Sequence, residues 1–371
     1  MTPKVGFIVY GVHKDGLIDP MGTPFIDKEI LRNSKDALVE SGIEIIKHEI
    51  IVATKREARE AFKKMKADES IDAVILFSGT WIWAGNLIGA VRDYVNSGGT
   101  IIIWTHPGSQ GWRPVGGLVM NGALREIGIK HKFVYGSADS KKDIDAILSY
   151  LRAVHLKNYL NMTTAGVFGG RGMGQTCGVA DPSQWMRMFG IDIDSRDTTQ
   201  LIEKAKQISE EQITSPLPRL KELFIELPEI DDVFKKSVRL YLALKEILRD
   251  EEFDFYTIQS FPGLADDYST TCFAQSMMLE DGVPTSTLSD FNTLITVILL
   301  TKLSKERVYY GDLQHIDKEY NEIKIIGDGE PYLHHWRVIW GRQDLLSMAY
   351  LQKVVQVGFQ SVLCASPERV S

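Results

Sequence analysis

Short apolar runs alternate with amphipathic segments along the first 157 residues. Each run has the length of one buried strand, and each segment that follows carries apolar residues at helical spacing. This alternation is typical of parallel β/α units. The pattern predicts strands at Val5–Tyr10, Ile43–Val52, Ala73–Phe77, Thr100–Trp104 and Phe133–Tyr135. It predicts helices at Phe25–Glu40, Lys55–Ala67, Asn86–Asn96, Gly117–Ile127 and Lys141–Asn158. Residues 1–158 are therefore expected to form a Rossmann-like, doubly wound α/β domain.

A second α/β domain is predicted over residues 159–304. It opens with a strand at Ala165–Phe168 and continues, after a glycine-rich loop, into a helix that has Asp181 as N-cap and Pro182 as first residue. A further strand is predicted at Phe253–Gln259. The other predicted helices are Leu201–Glu211, Asp232–Arg249, Thr270–Leu279 and Asp290–Leu303. A proline-punctuated segment, 215–228, separates two of them.

The hydrophobic pattern changes at Lys305, where apolar residues begin to alternate with polar ones. The segments Arg307–Tyr310 and Ile323–Ile326 have the pattern of antiparallel strands and predict the start of a β-rich third domain over residues 305–371.

Composition indicates an ordinary globular protein. The chain has 371 residues, 44% of them hydrophobic, and no apolar stretch approaches the roughly 20 residues of a membrane span. Its net charge is −7, and basic residues are interspersed with acidic ones, which argues against nucleic acid as a partner. The three cysteines lie far apart without metal-site spacing. No signal-peptide pattern precedes the first strand, so a cytoplasmic location is expected.

Ligands of doubly wound sheets bind beyond the carboxyl ends of the strands, and two such ends carry notable residues. Trp81 and Trp83 follow the third predicted strand, and His106 follows the fourth. Two tryptophans in one loop suit a wall on which a sugar ring stacks, but they equally suit a gap between helix and sheet. A lone histidine before a proline is more often a hydrogen-bonded loop residue than a catalyst.

The loop after the strand Ala165–Phe168 has four glycines in six residues, which let the backbone approach a ligand closely. Arg171, Met173 and Gln175 lie in this loop, and Gln259 ends the next predicted strand. These side chains are candidate substrate contacts. For Met173, ordinary packing is nearly as good an interpretation.

The same loop carries a resemblance. Its motif Arg171-Gly172-Met173-Gly174, followed by the segments Val179–Trp185 and Phe189–Asp192, resembles the middle domain of the L-fucose isomerase and L-arabinose isomerase superfamily. Matching segments extend the resemblance over roughly residues 5 to 330. It implies an aldose-ketose isomerase that assembles as a ring-shaped homo-oligomer, in which the tryptophan loop completes a neighbour's pocket. It also implies that Met173 and a glutamine contact the sugar.

Aldose-ketose isomerisation moves a hydrogen between C1 and C2 through an ene-diol, which calls for acid/base groups and a divalent metal such as Mn²⁺ or Mg²⁺. By resemblance, the segment Pro284–Asn292 contains the metal-binding aspartate, Asp290. The family's glutamate aligns with Gln275, which cannot accept a proton, and a second glutamate position is Leu288. Asp290 also suits a helix N-cap.

The remaining metal ligand in such isomerases is a histidine of the third domain. Near Ile326 this chain has the segment 327–330, without a histidine, and the tail from Arg337 onward matches nothing in the family. Asp312, His334 and His335 are candidate substitutes, although a His-His pair is more often an exposed loop. The expectation is a third domain that is truncated or altered, and a metal site that is incomplete or lost.

Three functions stay open. The first is metal-dependent isomerisation of a pentose or 6-deoxyhexose, with Asp290 and Gln275 as catalytic residues. The second is a non-catalytic sugar-binding paralogue on the same scaffold. The third is a dinucleotide enzyme, because Gly172-x-Gly174 follows a strand and Asp194 lies 20 residues later. The third ranks last, since the helix is predicted to begin at Asp181 and would miss the pyrophosphate.

Overall fold

A computed structural model describes residues 2–12, 26–47, 51–108, 112–172, 178–223, 227, 229–305, 308, 310, 312–317, 322–326 and 355–356. The chain divides into two compact units, Met1–Asn158 and Tyr159–Ser371. Among the described residues no helix is both long and apolar enough to cross a membrane.

The first unit contains a five-stranded parallel sheet with the order β2-β1-β3-β4-β5. The strands are β1 Lys4–Tyr10, β2 Glu44–Lys47, β3 Ala73–Ser78, β4 Ile101–Thr105 and β5 Lys132–Tyr135. The helices are α1 Lys28–Glu40, α2 Lys55–Lys66, α3 Ile88–Asn96, α4 Arg113–Glu126 and α5 Lys141–Leu160. The predicted doubly wound sheet is confirmed.

Both faces of this sheet are covered. Phe7, Phe77 and Trp104 pack with residues of α1 and α5 on one face. On the other face, Leu76 and Ile103 pack with residues of α2, α3 and α4. Because neither face meets water, the central strands β1, β3 and β4 are apolar over nearly their whole length, which is why the sequence shows them so clearly.

The second unit contains a four-stranded parallel sheet with the order β7-β6-β8-β9. Its strands are β6 Thr164–Phe168, β7 Asp192–Arg196, β8 Phe255–Ile258 and β9 Thr285–Thr287. The helices are α6 Pro182–Phe189, α7 Thr198–Gln207, α8 Glu210–Thr214, α9 Leu217–Leu223, α10 Asp232–Asp250, α11 Ala265–Asp267, α12 Cys272–Glu280 and α13 Phe291–Ser304. Residues of α7, α10 and α12 form one large apolar cluster, and Trp185 of α6 packs edge-on against Phe291 of α13, with ring centroids 5.5 Å apart.

A separate three-stranded sheet follows, built from β10 Asp312–Asp317, β11 Glu322–Ile326 and β12 Val355–Gln356. Its pairings are antiparallel, as the sequence pattern indicates for this region. His334, His335 and most of the tail lie outside the described residues.

Several predicted elements are corrected. Of the predicted strand Ile43–Val52, strand β2 covers Glu44–Lys47 and Val52 forms an isolated bridge with Tyr10, while residues 48–50 lie outside the described residues. The helix predicted at Leu201–Glu211 is two helices, because Ser209 caps a new one with a reciprocal bond to Gln212. The predicted helix Gly117–Ile127 begins at Arg113. Strands β7 and β9 and helix α9 were not predicted; β7 is largely exposed and polar, and β9 has three residues.

Candidate functional site

The carboxyl ends of the parallel strands in the second unit lie at one edge of its sheet. Register pairs Phe168 with Arg196 and with Ile258, and pairs Ile258 with Thr287. Arg171, Gln259 and Asp290 follow three of these strand ends within three residues. The fold therefore brings predicted site residues from distant parts of the sequence to the edge where such sheets bind ligands. We call this edge the β6–β9 edge.

The glycine loop is fixed to this edge by backbone and side-chain bonds. Gly169 has a φ of 86° and donates from its N–H to the Arg196 carbonyl, at 2.8 Å. The N–H of Gly170 donates to Oε1 of Gln259 at 2.9 Å. Within the described residues Nε2 of Gln259 has no hydrogen-bond partner, so it is a free donor at the edge. The prediction that Gln259 contacts the sugar stays open on this geometry.

A glycine is required at position 172 because another backbone lies directly against it. A Cβ at this position would lie 2.3 Å from the carbonyl oxygen of Leu288, well inside van der Waals contact. The glycine loop and the turn that leads to Asp290 thus touch through their backbones, which only a residue without a side chain permits.

The turn before Asp290 is strained. Leu288 and Ser289 both have a φ of 55°, a left-handed conformation that costs about 1–3 kcal/mol for a residue other than glycine. The N–H of Ser289 donates to the Ile258 carbonyl at 3.2 Å, which ties the turn to the end of β8. Strain of this kind persists only where the surrounding structure imposes it, and it commonly marks a binding or catalytic turn.

Asp290 is the N-cap of α13. One carboxylate oxygen accepts from the N–H of Thr293 and the other from its hydroxyl, each at 3.0 Å. The side chain remains partly exposed, and a carboxylate has further lone pairs for a ligand. Its capping role is therefore established, and it leaves the carboxylate able to bind substrate or cation.

Gln275 lies in α12 and is completely buried. Its Oε1 accepts from the Thr271 hydroxyl at 2.7 Å, and its Nε2 donates to the Ser286 carbonyl at 3.0 Å. The Ser286 hydroxyl lies 2.7 Å from the carbonyl of Asp290. Gln275 thus supports the Asp290 turn through Ser286, which contacts both residues. Both ends of the Gln275 amide have protein partners. A catalytic role for Gln275 stays a prediction.

The described side chains do not fit a divalent metal site by themselves. No group of three or more His, Cys, Asp or Glu side chains is arranged to hold a metal ion in the part of the chain that the structure describes. Asp290 supplies one carboxylate, and the amide of Gln275 is engaged elsewhere. The candidate substitutes His334 and His335, and the side chain of Asp312, fall outside the described residues. We therefore assign no chemical step to a metal ion.

The other residues predicted to contact substrate belong to the glycine loop and to the tryptophan loop. Arg171 is exposed, and no partner for its side chain occurs within the described residues, whereas Met173 and Gln175 lie outside them. In the first unit, the rings of Trp81 and Trp83 meet edge to face at 5.5 Å, and Trp83 is 51% exposed. An exposed indole beyond β3 suits stacking on a sugar as well as on protein.

His106 is a hydrogen-bonded loop residue. Its Nδ1 donates to the Pro107 carbonyl at 2.8 Å, since a carbonyl can only accept, and its Nε2 lies 3.0 Å from the Ser137 hydroxyl oxygen. Both ring nitrogens have hydrogen-bond partners, so a structural role in the loop is enough to account for His106.

The sequence reasoning missed the strained turn at Leu288 and Ser289 and the support from Ser286. Nothing in a Leu-Ser pair signals a left-handed backbone, because both residues normally avoid it. The run Thr285-Ser286-Thr287 carried a weak signal, since three consecutive hydroxyl residues in a buried strand need polar partners.

Comparison with known proteins supports a sugar isomerase family. Sulfoquinovose isomerases of Priestia aryabhattai and Priestia megaterium are each 24% identical to this chain over 316 residues, covering 82% of this chain and 70% of theirs. That of a Clostridium species is 23% identical over 204 residues, covering 54% of this chain and 46% of its own length. No protein-family model matches the chain. These similarities indicate an isomerase of sugars; the L-fucose and L-arabinose superfamily is a finer assignment that they do not test.

Among solved structures, a glucose-galactose binding protein from Geobacillus stearothermophilus covers 83% of this chain and 94% of its own, at 10% identity and a TM-score of 0.23. That score is too low to support an argument about fold or ligand.

Proposed function

We propose that this chain binds a monosaccharide at the β6–β9 edge and interconverts its aldose and ketose forms. The observation that carries the proposal is the contact between the glycine loop and the Asp290 turn, where Gly172 lies directly against Leu288. At the same edge Gln259, whose Nε2 has no partner within the described residues, and the partly exposed carboxylate of Asp290 follow the ends of two paired strands. Similarity to sulfoquinovose isomerases over 82% of the chain supports the reaction class.

In the proposed reaction Asp290 is the group that exchanges a proton with the sugar. Isomerisation moves a proton from C2 to C1 through the ene-diol, while the C2 hydroxyl loses its proton and O1 gains one. A single residue that acts first as base and then as acid can carry the proton between the two carbons. A carboxylate can do both. Gln275 cannot accept a proton, and in the proposal it positions the turn instead.

The proposed substrate is a pentose or a 6-deoxyhexose of the L-fucose and L-arabinose type, in keeping with the motif resemblance. A sulfonated glucose is the competing substrate, because the relatives are named for sulfoquinovose. Dependence on Mn²⁺ or Mg²⁺ also belongs to the proposal, with Asp290 as the one described residue that would bind the ion. We further propose a cytoplasmic homo-oligomer.

Gln275 favours one alternative function, a non-catalytic sugar-binding protein. A neutral amide, bonded at both ends, occupies the position where the resembled isomerases carry a glutamate. A protein that only binds sugar needs the loop and the edge but no second carboxylate.

Calorimetry separates these proposals. The chelator-treated chain is titrated with Mn²⁺ and then with L-fucose, L-arabinose and sulfoquinovose, and ketose is assayed with the metal restored. Asp290→Asn is the matched variant, because asparagine keeps the N-cap and removes the charge. Sugar binding with ketose formation in the wild type alone supports the isomerase. Sugar binding that is equal in both proteins, without ketose, supports the binding protein. Absence of sugar binding contradicts both.

A further inference from the structure

Arg113 of the first unit is a buried cation that has no partner in the described part of the chain. Its side chain is 5% exposed, and its Nε is enclosed without a hydrogen-bond acceptor. Within the described residues no hydrogen bond or ion pair reaches any nitrogen of its guanidinium. A buried charge is costly unless it is paired, and arginine is almost never buried otherwise. A buried guanidinium without a partner among the described residues is suited to bind an anionic ligand.

The backbone holds Arg113 firmly at the carboxyl edge of the first sheet. Its carbonyl accepts from the Ser78 hydroxyl, at the end of β3, and from the Thr105 hydroxyl, at the end of β4, each at 2.8 Å. The side chain turns toward the loop that follows β4, since Nη2 lies 3.0 Å from where a Cβ on Gly108 would stand. The guanidinium thus faces the edge at which doubly wound sheets bind ligands.

The start of α4 adds further donors at the same place. Arg113 is the first residue of this 14-residue helix, and the N-cap, Trp112, makes no capping bond with its side chain. Within the described residues no side chain caps the amides of Arg113 and Val115, and Pro114 has no amide hydrogen. The helix dipole favours a negative charge at this end.

Trp81 carries a second donor, its buried indole Nε1, which has no partner among the described residues. Its Cα lies 3.2 Å from a Cβ built on Gly116, in the first turn of α4. Two buried donors without acceptors, beside an uncapped helix start, call for a ligand rich in acceptor oxygens.

We propose that Arg113 and the N-terminus of α4 bind a tetrahedral oxyanion, namely phosphate, sulfate or a sulfonate. The guanidinium offers two parallel N–H donors to two oxygens, and the helix amides meet a third. This site lies wholly in the first unit and does not rest on the proposed isomerase activity.

The test is calorimetric titration of the full chain with sulfate, phosphate and methanesulfonate, with acetate and chloride as reference anions. The wild type is expected to bind the tetrahedral oxyanions saturably and more tightly than acetate. In Arg113→Met the loss of charged hydrogen bonds is expected to weaken binding about ten- to a hundredfold. Arg125→Met removes an exposed arginine from the other end of α4 and should leave binding unchanged.

Thermal unfolding without added anion checks the same variants. Because Arg113→Met removes an unpaired buried charge, its Tm should match or exceed that of the wild type, and added sulfate should raise the Tm of the wild type alone. Should Arg113→Met fail to fold, Arg113→Lys keeps a charge without the guanidinium fork and should bind more weakly than wild type.

Comparison of sulfoquinovose with glucose identifies the source of the anion. Binding of sulfoquinovose that depends on Arg113, without binding of glucose, means that the oxyanion is part of a sugar. Binding of inorganic sulfate or phosphate alone means a free ion. If neither source binds the wild type, or if binding is equal in Arg113→Met, the proposed site does not exist.

Discussion

Asp290 has two tasks that different substitutions can separate. As N-cap it holds the first turn of α13 through Thr293, and as a partly exposed carboxylate it is the proposed proton-transfer group. Alanine removes both functions, whereas asparagine keeps the capping oxygen.

We therefore expect Asp290→Ala to lose about 1 kcal/mol of unfolding free energy and Asp290→Asn to lose only a few tenths. Both variants should lose ketose formation. Urea unfolding and a ketose assay on the same preparations provide the measurement. Retained activity in Asp290→Asn, at wild-type stability, would show that the carboxylate only caps the helix.

The proposed positioning role of Gln275 depends on the hydrogen bond that its Nε2 donates to the Ser286 carbonyl. In Gln275→Glu a carboxylate oxygen replaces the amide that donates to the Ser286 carbonyl, and two acceptors then face each other in the interior. The cost is expected to be about 1–3 kcal/mol at neutral pH.

The pH dependence of this variant has a definite sign. Burial beside an acceptor raises the pKa of the introduced carboxyl above its usual value near 4.3. Its protonated form can still donate, so the variant should approach wild-type stability below that pH and lose stability as the pH rises through the raised pKa. Urea unfolding at pH 4 and at pH 7 tests this. Equal loss at both pH values would show that the polarity of this position does not matter.

The glycine loop is the element on which the proposed sugar site depends. Gly172→Ala would bring its Cβ to 2.3 Å from the Leu288 carbonyl, so the loop must move off the Asp290 turn. Gly170→Ala is the matched control, because its Cβ would meet Oε1 of Gln259 only at 3.9 Å. We expect sugar affinity to fall at least about tenfold in Gly172→Ala, equivalent to about 1.4 kcal/mol, and to change little in Gly170→Ala. Equal affinities in calorimetry would place the sugar elsewhere.

Helices α9, α10 and α12 meet at one carboxylate, Asp281, whose side chain is 14% exposed. Arg219, Tyr241 and Lys245 all donate to it. Burial acts to raise the pKa of Asp281, but the hydrogen bonds from these donors outweigh it, so the pKa lies below the usual 3.8.

A carboxyl group with a lowered pKa stabilises the folded state above its usual pKa, and that stability is lost as the pH falls through the lowered value. Asp281→Asn should therefore cost about 1–3 kcal/mol at pH 7, and the difference from wild type should shrink below pH 3.8. Chemical denaturation across this range is the check. A difference that does not change with pH would mean that the charge of Asp281 contributes nothing.

The elements that could be predicted from the sequence are those whose burial pattern is extreme. Strand β3 is buried at every position, and Asp290 precedes an apolar helix, so the sequence predicts both the strand and the helix cap. Strands β7 and β9 could not be predicted, because β7 is a polar edge strand and β9 is too short to show a period. The early start of α4 was hidden by Pro114 and two glycines, which favour a turn locally and are overridden by packing against Ser78 and Thr105.

At the candidate site, the sequence indicates which residues are candidates, among them Asp290 and Gln259, and it does not indicate their geometry. The burial of Gln275 and the left-handed turn at Leu288 and Ser289 follow from contacts between segments far apart in the chain, which a single sequence does not reveal.

At the scale of the whole molecule, the proposed homo-oligomer is a prediction from the resemblance. Analytical ultracentrifugation at micromolar concentration should give a mass that is a multiple of 41.8 kDa. Trp83→Ala removes a largely exposed indole and, if the tryptophan loop completes a neighbour's pocket, should weaken sugar binding without changing the monomer's Tm. A single species of 41.8 kDa with full sugar affinity would contradict this arrangement.

The central claim is that the β6–β9 edge interconverts an aldose and a ketose through Asp290. The most direct test follows L-fucose, L-arabinose and sulfoquinovose by NMR in D₂O, with Mn²⁺ and with chelator, in wild type and in Asp290→Asn. The account predicts ketose signals for at least one sugar, with deuterium entering at the exchanging carbon, in the wild type only. Sugars that remain unchanged in the wild type under both conditions, although calorimetry shows them bound, would contradict it and leave a protein that binds sugar without converting it.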